Sequence, residues 1–512
     1  MSKYSKVIIM LLIISILLVQ IVGCQSNMDR PAKIETNIEP SNNGKTASNS
    51  TSKYSEKKAT IKEAVTNICN NAHQLYNIHN RLVDPDLDTE NLQILVVSNI
   101  LKTAYLINSQ NKKYGNKDEI IEYSTTTIDK SILVIPFQNI DFNGHPTYAF
   151  NIDSFYSYLK NENRNAAGFE ELVTTTLFHE GIHIFLQLKF HKDDKAKRVN
   201  ELGNTGSKSV QYPIIIEDYI YRAQMAHAYK QALSAGDITQ KIEYIKEANY
   251  FLQKFLANSE ENQRDINLDL IEGQPRYYEY KAKAILEGLR DKEAIKKRAK
   301  ELLIVSHDNT KPLAEIDKGS VCYQTGSNAF ALINDLGERD ELGVQNPVLY
   351  LMDKYGVKES EGDLKLSSDI RNKYTKINNQ LKAEIDDISQ KISSDDYVTI
   401  AIPSVPGSYM STGGKSLMVN YELNNYMYNT VTTTMELTLQ NNRIKISNSK
   451  ILQLGAGEIR VKTIEDFPPA YYVFVPKDSV TFEGNLITAQ SKDIQMYDMK
   501  FVEKNGIYIL EE

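Results

Sequence analysis

The chain has 512 residues, 41% of them hydrophobic and 24% charged, so it can bury sizeable cores in three or so domains of ordinary size. Its formal net charge of −7 gives no basic footprint and argues against nucleic acid as a partner.

The N-terminus carries Lys3 and Lys6, then an apolar run over 7–19, then Ile21-Val22-Gly23-Cys24. A positive n-region, an apolar core and small residues before a cleavage point are the layout of a signal peptide. The I-V-G-C run resembles the bacterial lipobox, which implies cleavage before Cys24 and a lipid on its thiol. The apolar run of about 13 to 16 residues is short for a spanning helix, which needs about 20. Residues 1–23 are thus expected to be a lipoprotein signal peptide, and 24–58, rich in Ser, Asn, Thr and Lys, a flexible tether. This places the folded part on the outer face of the bacterial cytoplasmic membrane, held through lipid on Cys24. Cys69 and Cys322 remain; neither has a C-x-x-C neighbour, and whether they pair is left open.

From 59 to 110 the apolar spacing of three and four predicts helices, one over Ile61, Ala64, Val65, Ile68, Ala72 and Leu75 and a second over 92–107. Residues 118–151 read as strands, with SILVIPF and TYAFNI the clearest; His145 falls in a turn and is given no role. After a buried helix around 174–187 comes a polar loop over 189–212. Helices are expected from Pro213, from the cap Asp237 and through four further segments, and a charged amphipathic helix over 366–392. From Tyr397 on, short β-rich runs separated by turn residues predict an antiparallel sandwich or barrel. The expected class is α+β: a mostly helical domain at 59–392 and a β-rich domain at 393–512.

The helix at 174–187 holds His179-Glu180-Gly181-Ile182-His183, an H-E-x-x-H motif. Positions i and i+4 share one helix face, so both imidazoles can reach one metal ion. Zn²⁺ takes neutral imidazole nitrogen and keeps an open position in catalytic sites. Glu180 directly follows the first ligand, where it can take the proton of a water activated by the metal. With only 8 His in the chain, an accidental copy in an apolar helix is an uncommon coincidence.

A third ligand must come from elsewhere. Glu272, in L-I-E-G-Q-P-R-Y-Y, lies 89 residues after His183 (272 − 183). Glutamate, glycine and a following aromatic resemble the E-G-x-x-x-Y segment of gluzincin-type zinc metallopeptidases, and a β region before a zinc helix is the zincin order. The resemblance covers 170–340 loosely and implies that Glu272 is the third ligand, Gly273 permits close packing and Tyr277 is the motif aromatic. Pro275 departs from the pattern and implies a later helix start or a kink. Asp269 with Glu272 also fits a capping box, a purely structural role. Glu217 is the alternative ligand, 34 residues after His183 (217 − 183), with Asp218 a distant third. His191 and His227 are given no role. Small residues Gly326, Ser327 and Ala329 would let their helix pack closely behind the site.

The expected function is a membrane-tethered zinc metallopeptidase, with one catalytic Zn²⁺ and a peptide or protein substrate. Glu180 would be its general base, and Tyr277, Tyr278 and Tyr323 are candidate donors to the transition-state oxyanion. The alternative is a non-catalytic surface binding lipoprotein on a zincin-like scaffold. Oligomeric state and substrate are not legible.

Overall fold

The computed structural model describes residues 48–84, 92–110, 119–128, 137–155, 166–183, 210–306, 318–338, 346–359, 367–403, 417–423, 426–432, 437–439, 444–446, 451–454, 470–504 and 506–511. The expected signal peptide, Cys24, His191 and most of the 189–212 loop lie outside them. No helix among the described residues is long and apolar enough to cross a membrane.

The first helix, α1 (Ser48–His73), begins eleven residues before Ala59 (59 − 48), inside the expected tether. Its N-terminal part lacks an apolar period, but Glu and Lys are good helix formers and extend the amphipathic segment backwards. The short helix α2 (Asn80–Val83) follows. The second expected helix, over 92–107, does not form. Strands β1 (Gln93–Ser98) and β2 (Thr103–Ile107) pair antiparallel there, turning at Lys102, whose φ is +57°. Every residue of β1 is buried, so no polar alternation betrayed a strand. With β3 (Ile121–Ser124), β4 (Phe137–Phe142) and β5 (His145–Asn151) they make a five-stranded sheet in the order β3-β2-β1-β5-β4. Only β1 and β5 run parallel. His145 opens β5 beside the Asn143–Gly144 turn, where both residues have positive φ.

Helix α3 (Ala166–Ile182) carries the motif. After strand β6 (Val210–Gln211) come α4 (Ile216–Ser234) and α5 (Ile238–Asn258), the latter capped by Asp237, which accepts from the Gln240 N–H at 2.9 Å. Then follow α6 (Glu260–Asp265), α7 (Leu268–Ile271), α8 (Gly273–Leu286), α9 (Lys292–Ser306), α10 (Lys318–Asp335) and α11 (Pro347–Tyr355). The long α12 (Ser367–Ser393) lies against α4, where the Tyr219 and Tyr374 rings stand 4.4 Å apart. One large core joins α1, the sheet, α3 to α5 and α7 to α11, with Ile68, Phe150, Phe178, Phe251 and Phe330 among its buried side chains.

The β-rich end contains β7 (Tyr397–Pro403), β8 (Leu417–Leu423), β9 (Tyr426–Thr432), β10 (Leu437–Leu439), β11 (Ile444–Ile446) and β12 (Ile451–Leu454). It closes with β13 (Ala470–Pro476), β14 (Val480–Glu483), β15 (Leu486–Gln490), β16 (Ile494–Lys504) and β17 (Ile507–Leu510). The sheet is not purely antiparallel as expected: β17 runs parallel to β7, and β6 from the first half of the chain pairs parallel with β8. Its core, around Val398, Ile400, Val473, Val475, Ile487 and Met496, is separate from the helical one.

Candidate metal centre

The motif helix is buried because it is apolar nearly all round and is covered by α1 on one side and α8 on another. Val173, Leu177, Phe178 and Ile182 are at most 5% exposed. Polar ties fix its position: Asn67 of α1 donates to Glu170 at 2.9 Å, and Lys283 of α8 pairs with Glu171 at 2.9 Å. The glycine inside the motif has a steric reason. A Cβ on Gly181 would stand 2.6 Å from the Tyr76 hydroxyl oxygen, and that hydroxyl is held by donating to the Leu177 carbonyl at 2.6 Å.

Three nitrogen and oxygen atoms converge beside this helix. His179 Nε2 and His183 Nε2 are 3.0 Å apart, and Glu272 Oε2 lies 3.6 Å from the first and 3.5 Å from the second. Donors bound tetrahedrally at about 2.0–2.1 Å stand roughly 3.3–3.4 Å from one another, so the triangle has the size zinc requires. Ligand atoms of His179, Glu180 and His183 lie within 4.8 Å of one another, but Glu272 is closer to both imidazoles than that limit. Glu272 therefore completes the triangle, and Glu180 stands beside it.

Glu272 stands where α7 meets α8, with helical hydrogen bonds on either side, from its own N–H to the Leu268 carbonyl at 2.9 Å and from the Arg276 N–H to its carbonyl at 3.2 Å. It is the residue between α7 and α8, with φ −100° and ψ −30°. Pro275 then falls in the first turn of α8, where its missing N–H costs nothing, which accounts for the departure from the E-G-x-x-x-Y pattern. The alternative structural role, a capping box between Asp269 and Glu272, does not form. Asp269 is wholly buried and bound to Arg222 instead. Gly273 and Gly326 touch backbone to backbone: a Cβ on Gly273 would lie 2.5 Å from the Gly326 carbonyl carbon, and one on Gly326 would run into the Asp269 carbonyl oxygen. The close approach expected of both glycines is present.

A fourth group was not expected. Glu279, two turns on from Glu272, faces His179 Nδ1 with Oε2 at 3.4 Å, an ion-pair separation beyond the usual hydrogen-bond range. Arg276 Nη1 donates to both Glu279 oxygens at 2.8 and 2.7 Å. Burial disfavours charge on His179, yet Glu272 and Glu279 outweigh it and lift its pKa to about 9. Burial likewise works against the Glu279 carboxylate, but Arg276 and His179 hold it down to about 2. The carboxylates around His179 thus favour positive charge at this place; a divalent cation would bind the neutral imidazole and displace that proton.

Glu180 is 7% exposed, and its charge acts on two buried tyrosines, Tyr76 of the turn after α1 and Tyr148 of β5. Burial first, and the Glu180 charge second, push both phenols well above the usual range. Of the three tyrosines expected at the site, only Tyr323 is beside it, its ring 5.7 Å from that of His179. Tyr278 donates to Asp84 at 3.0 Å, and Tyr277 stacks with the Lys281 ammonium 4.8 Å from its ring. Burial, then Asp335 and Glu293, raise the Tyr277 pKa, so its phenol senses acids away from the histidines. Both lie on a different face of α8 from Glu272. The alternative ligand Glu217 is held by Arg371 of α12 at 2.8 Å, and that guanidinium draws its carboxyl below the usual range. Cys69 and Cys322 are both buried thiols that form no disulfide with each other; Arg222 donates to the Cys322 sulfur at 3.4 Å, and burial pushes the Cys69 thiol up to about 12.

No protein-family model matches the chain, and no curated protein or solved structure is significantly similar to it.

Proposed function

We propose that the chain is a zinc-dependent metallopeptidase, tethered by lipid on Cys24 to the outer face of the bacterial cytoplasmic membrane. The observation that carries this reading is the donor triangle of His179, His183 and Glu272, of the size zinc requires, with Glu180 beside it. In this reading those three side chains hold the ion and Glu279 orients His179 through Nδ1. When bound, zinc supplies Lewis acidity toward water and a carbonyl oxygen. Glu180 accepts the proton of the attacking water and passes it to the leaving amine. Tyr323, whose ring lies 5.7 Å from that of His179, is the one of the three candidate tyrosines assigned as donor to the developing oxyanion.

The test is metal content of the full chain in detergent, with His183→Ala, Glu272→Ala and Glu217→Ala. One zinc per chain is expected, lost in the first two variants and kept in the third. Glu180→Gln should keep zinc and lose cleavage of a peptide library; if it cleaves as fast as the parent, Glu180 is not the base. A parent chain that takes up no zinc even on incubation with the metal favours the binding-lipoprotein reading.

A further inference from the structure

Glu272 sits where α7 meets α8, so the place of its carboxylate depends on how both helices are held. Something must fix the joint from each side. On the far side, α8 is tied to α3 by Glu279 with His179 and by Lys283 with Glu171. On the near side, three residues before Glu272 (272 − 269), lies a buried polar node joining three helices. Arg222 of α4, Asp269 of α7 and Thr325 of α10 are 5%, 0% and 0% exposed. Arg222 Nη2 donates to Asp269 Oδ1 and Oδ2 at 3.0 and 2.8 Å and to the Thr325 hydroxyl at 2.8 Å. The Thr325 hydroxyl in turn donates to Asp269 Oδ1, and the Phe255 ring lies 5.1 Å from the guanidinium.

A buried ion pair is a poor source of net stability, because desolvating two charges offsets their attraction. What the node does provide is geometry. Arg222 fixes the Asp269 side chain from α4, Thr325 fixes it from α10, and Gly326 of α10 bears on the Asp269 carbonyl from below. Asp269 is thus held on three sides one turn ahead of Glu272.

We infer that Arg222, Asp269 and Thr325 are positioning residues for Glu272, holding its carboxylate at the vertex of the donor triangle. The inference rests on reading the cluster as a metal site. Its chemistry is specific: the node should set how tightly a zinc ion is held rather than only how stably the chain folds.

The experiment measures zinc affinity of the detergent-solubilised full chain by competition with a chromogenic chelator, and thermal unfolding of the same proteins in EDTA. Thr325→Val keeps the shape and removes one hydroxyl. It should weaken zinc binding ~10-fold, within the range typical for groups that orient ligands. Thr325→Ser restores the hydroxyl and should bind zinc within about twofold of the parent. Asp269→Asn should weaken binding further; should it not fold, the threonine pair still decides. Leu351→Ala, a buried cavity on α11, is the control for a purely structural effect. It should lower the unfolding temperature at least as much as Thr325→Val yet leave zinc affinity unchanged.

Thr325→Val binding zinc as tightly as the parent, while Glu272→Ala binds it weakly, overturns this inference and leaves the metal site standing. So does a Leu351→Ala chain that loses as much zinc affinity as Thr325→Val. A parent without zinc affinity overturns both readings.

Discussion

Replacing Gly273 with alanine tests whether the contact between α8 and α10 sets the position of Glu272. The added Cβ would stand 2.5 Å from the Gly326 carbonyl carbon and 2.8 Å from the Ser327 nitrogen. Ordinary contact begins at 3.4 Å and the Gly326 Cα is nearer still, so the two backbones must separate by at least about 0.9 Å (3.4 − 2.5). Neither neighbour is a side-chain tip that can swing aside. Overpacking of this kind costs about 1–3 kcal/mol, and the intrinsic helix preference of Ala over Gly, up to ~1 kcal/mol, offsets only part of it. A net loss near 1–2 kcal/mol is expected. The effect on metal should be sharper, because ligand distances tolerate only about ±0.2 Å and Glu272 is the neighbouring residue. Zinc affinity should fall ~10- to 100-fold. Urea unfolding in EDTA and chelator competition measure the two effects separately. A Gly273→Ala chain with parental stability and parental zinc affinity would refute the reasoning.

Two further outcomes follow from single contacts. Gly181→Ala should destabilise by about 1–3 kcal/mol through its clash with the Tyr76 hydroxyl, and Tyr76→Phe, which removes that oxygen, should recover part of the loss in the double variant; equal and additive losses in a double-mutant cycle would show that the two residues do not meet. Burial lowers the Lys281 pKa to about 8, below the ~10.4 of an unfolded lysine. The unfolded chain therefore binds more protons between those values, so the parent should gain up to about 3 kcal/mol relative to Lys281→Met as pH rises from 8 to 10.4. Parallel stability profiles of the two proteins over that range would contradict the burial of a charged lysine.

The motif was legible because two histidines four apart on a helix are a local pattern: His179, Glu180 and His183 need only one helix to come together. Glu272 was legible through Gly273, whose lack of a Cβ is required by the contact with Gly326. The helical wheel held more information than the aromatic pattern. At 100° per residue, Glu279 lies about 20° from the direction of Glu272, whereas Tyr277 and Tyr278 lie about 140° and 120° away. That arithmetic alone selects Glu279 and Arg276 over the two tyrosines. Tyr76 and Tyr148 carry no such signal, since they reach Glu180 from segments far back in the chain. The hairpin at Gln93–Ser98 and Thr103–Ile107 was misread as helix because a strand buried on both faces has no period of two.

The short strand β6 has a consequence for how the protein is made. Val210 pairs with Val419, 209 residues further along (419 − 210). At synthesis rates of about 5–20 residues per second, roughly 10–40 s separate the appearance of the two partners. Throughout that interval the H-E-x-x-H helix is complete in the growing chain, but the strand that follows it in sequence has nothing to pair with. A chain cut short before Leu417 would never escape that state, so loss of the C-terminal residues removes more than a terminal domain. It leaves Val210–Gln211, a piece of the first half, with an open edge.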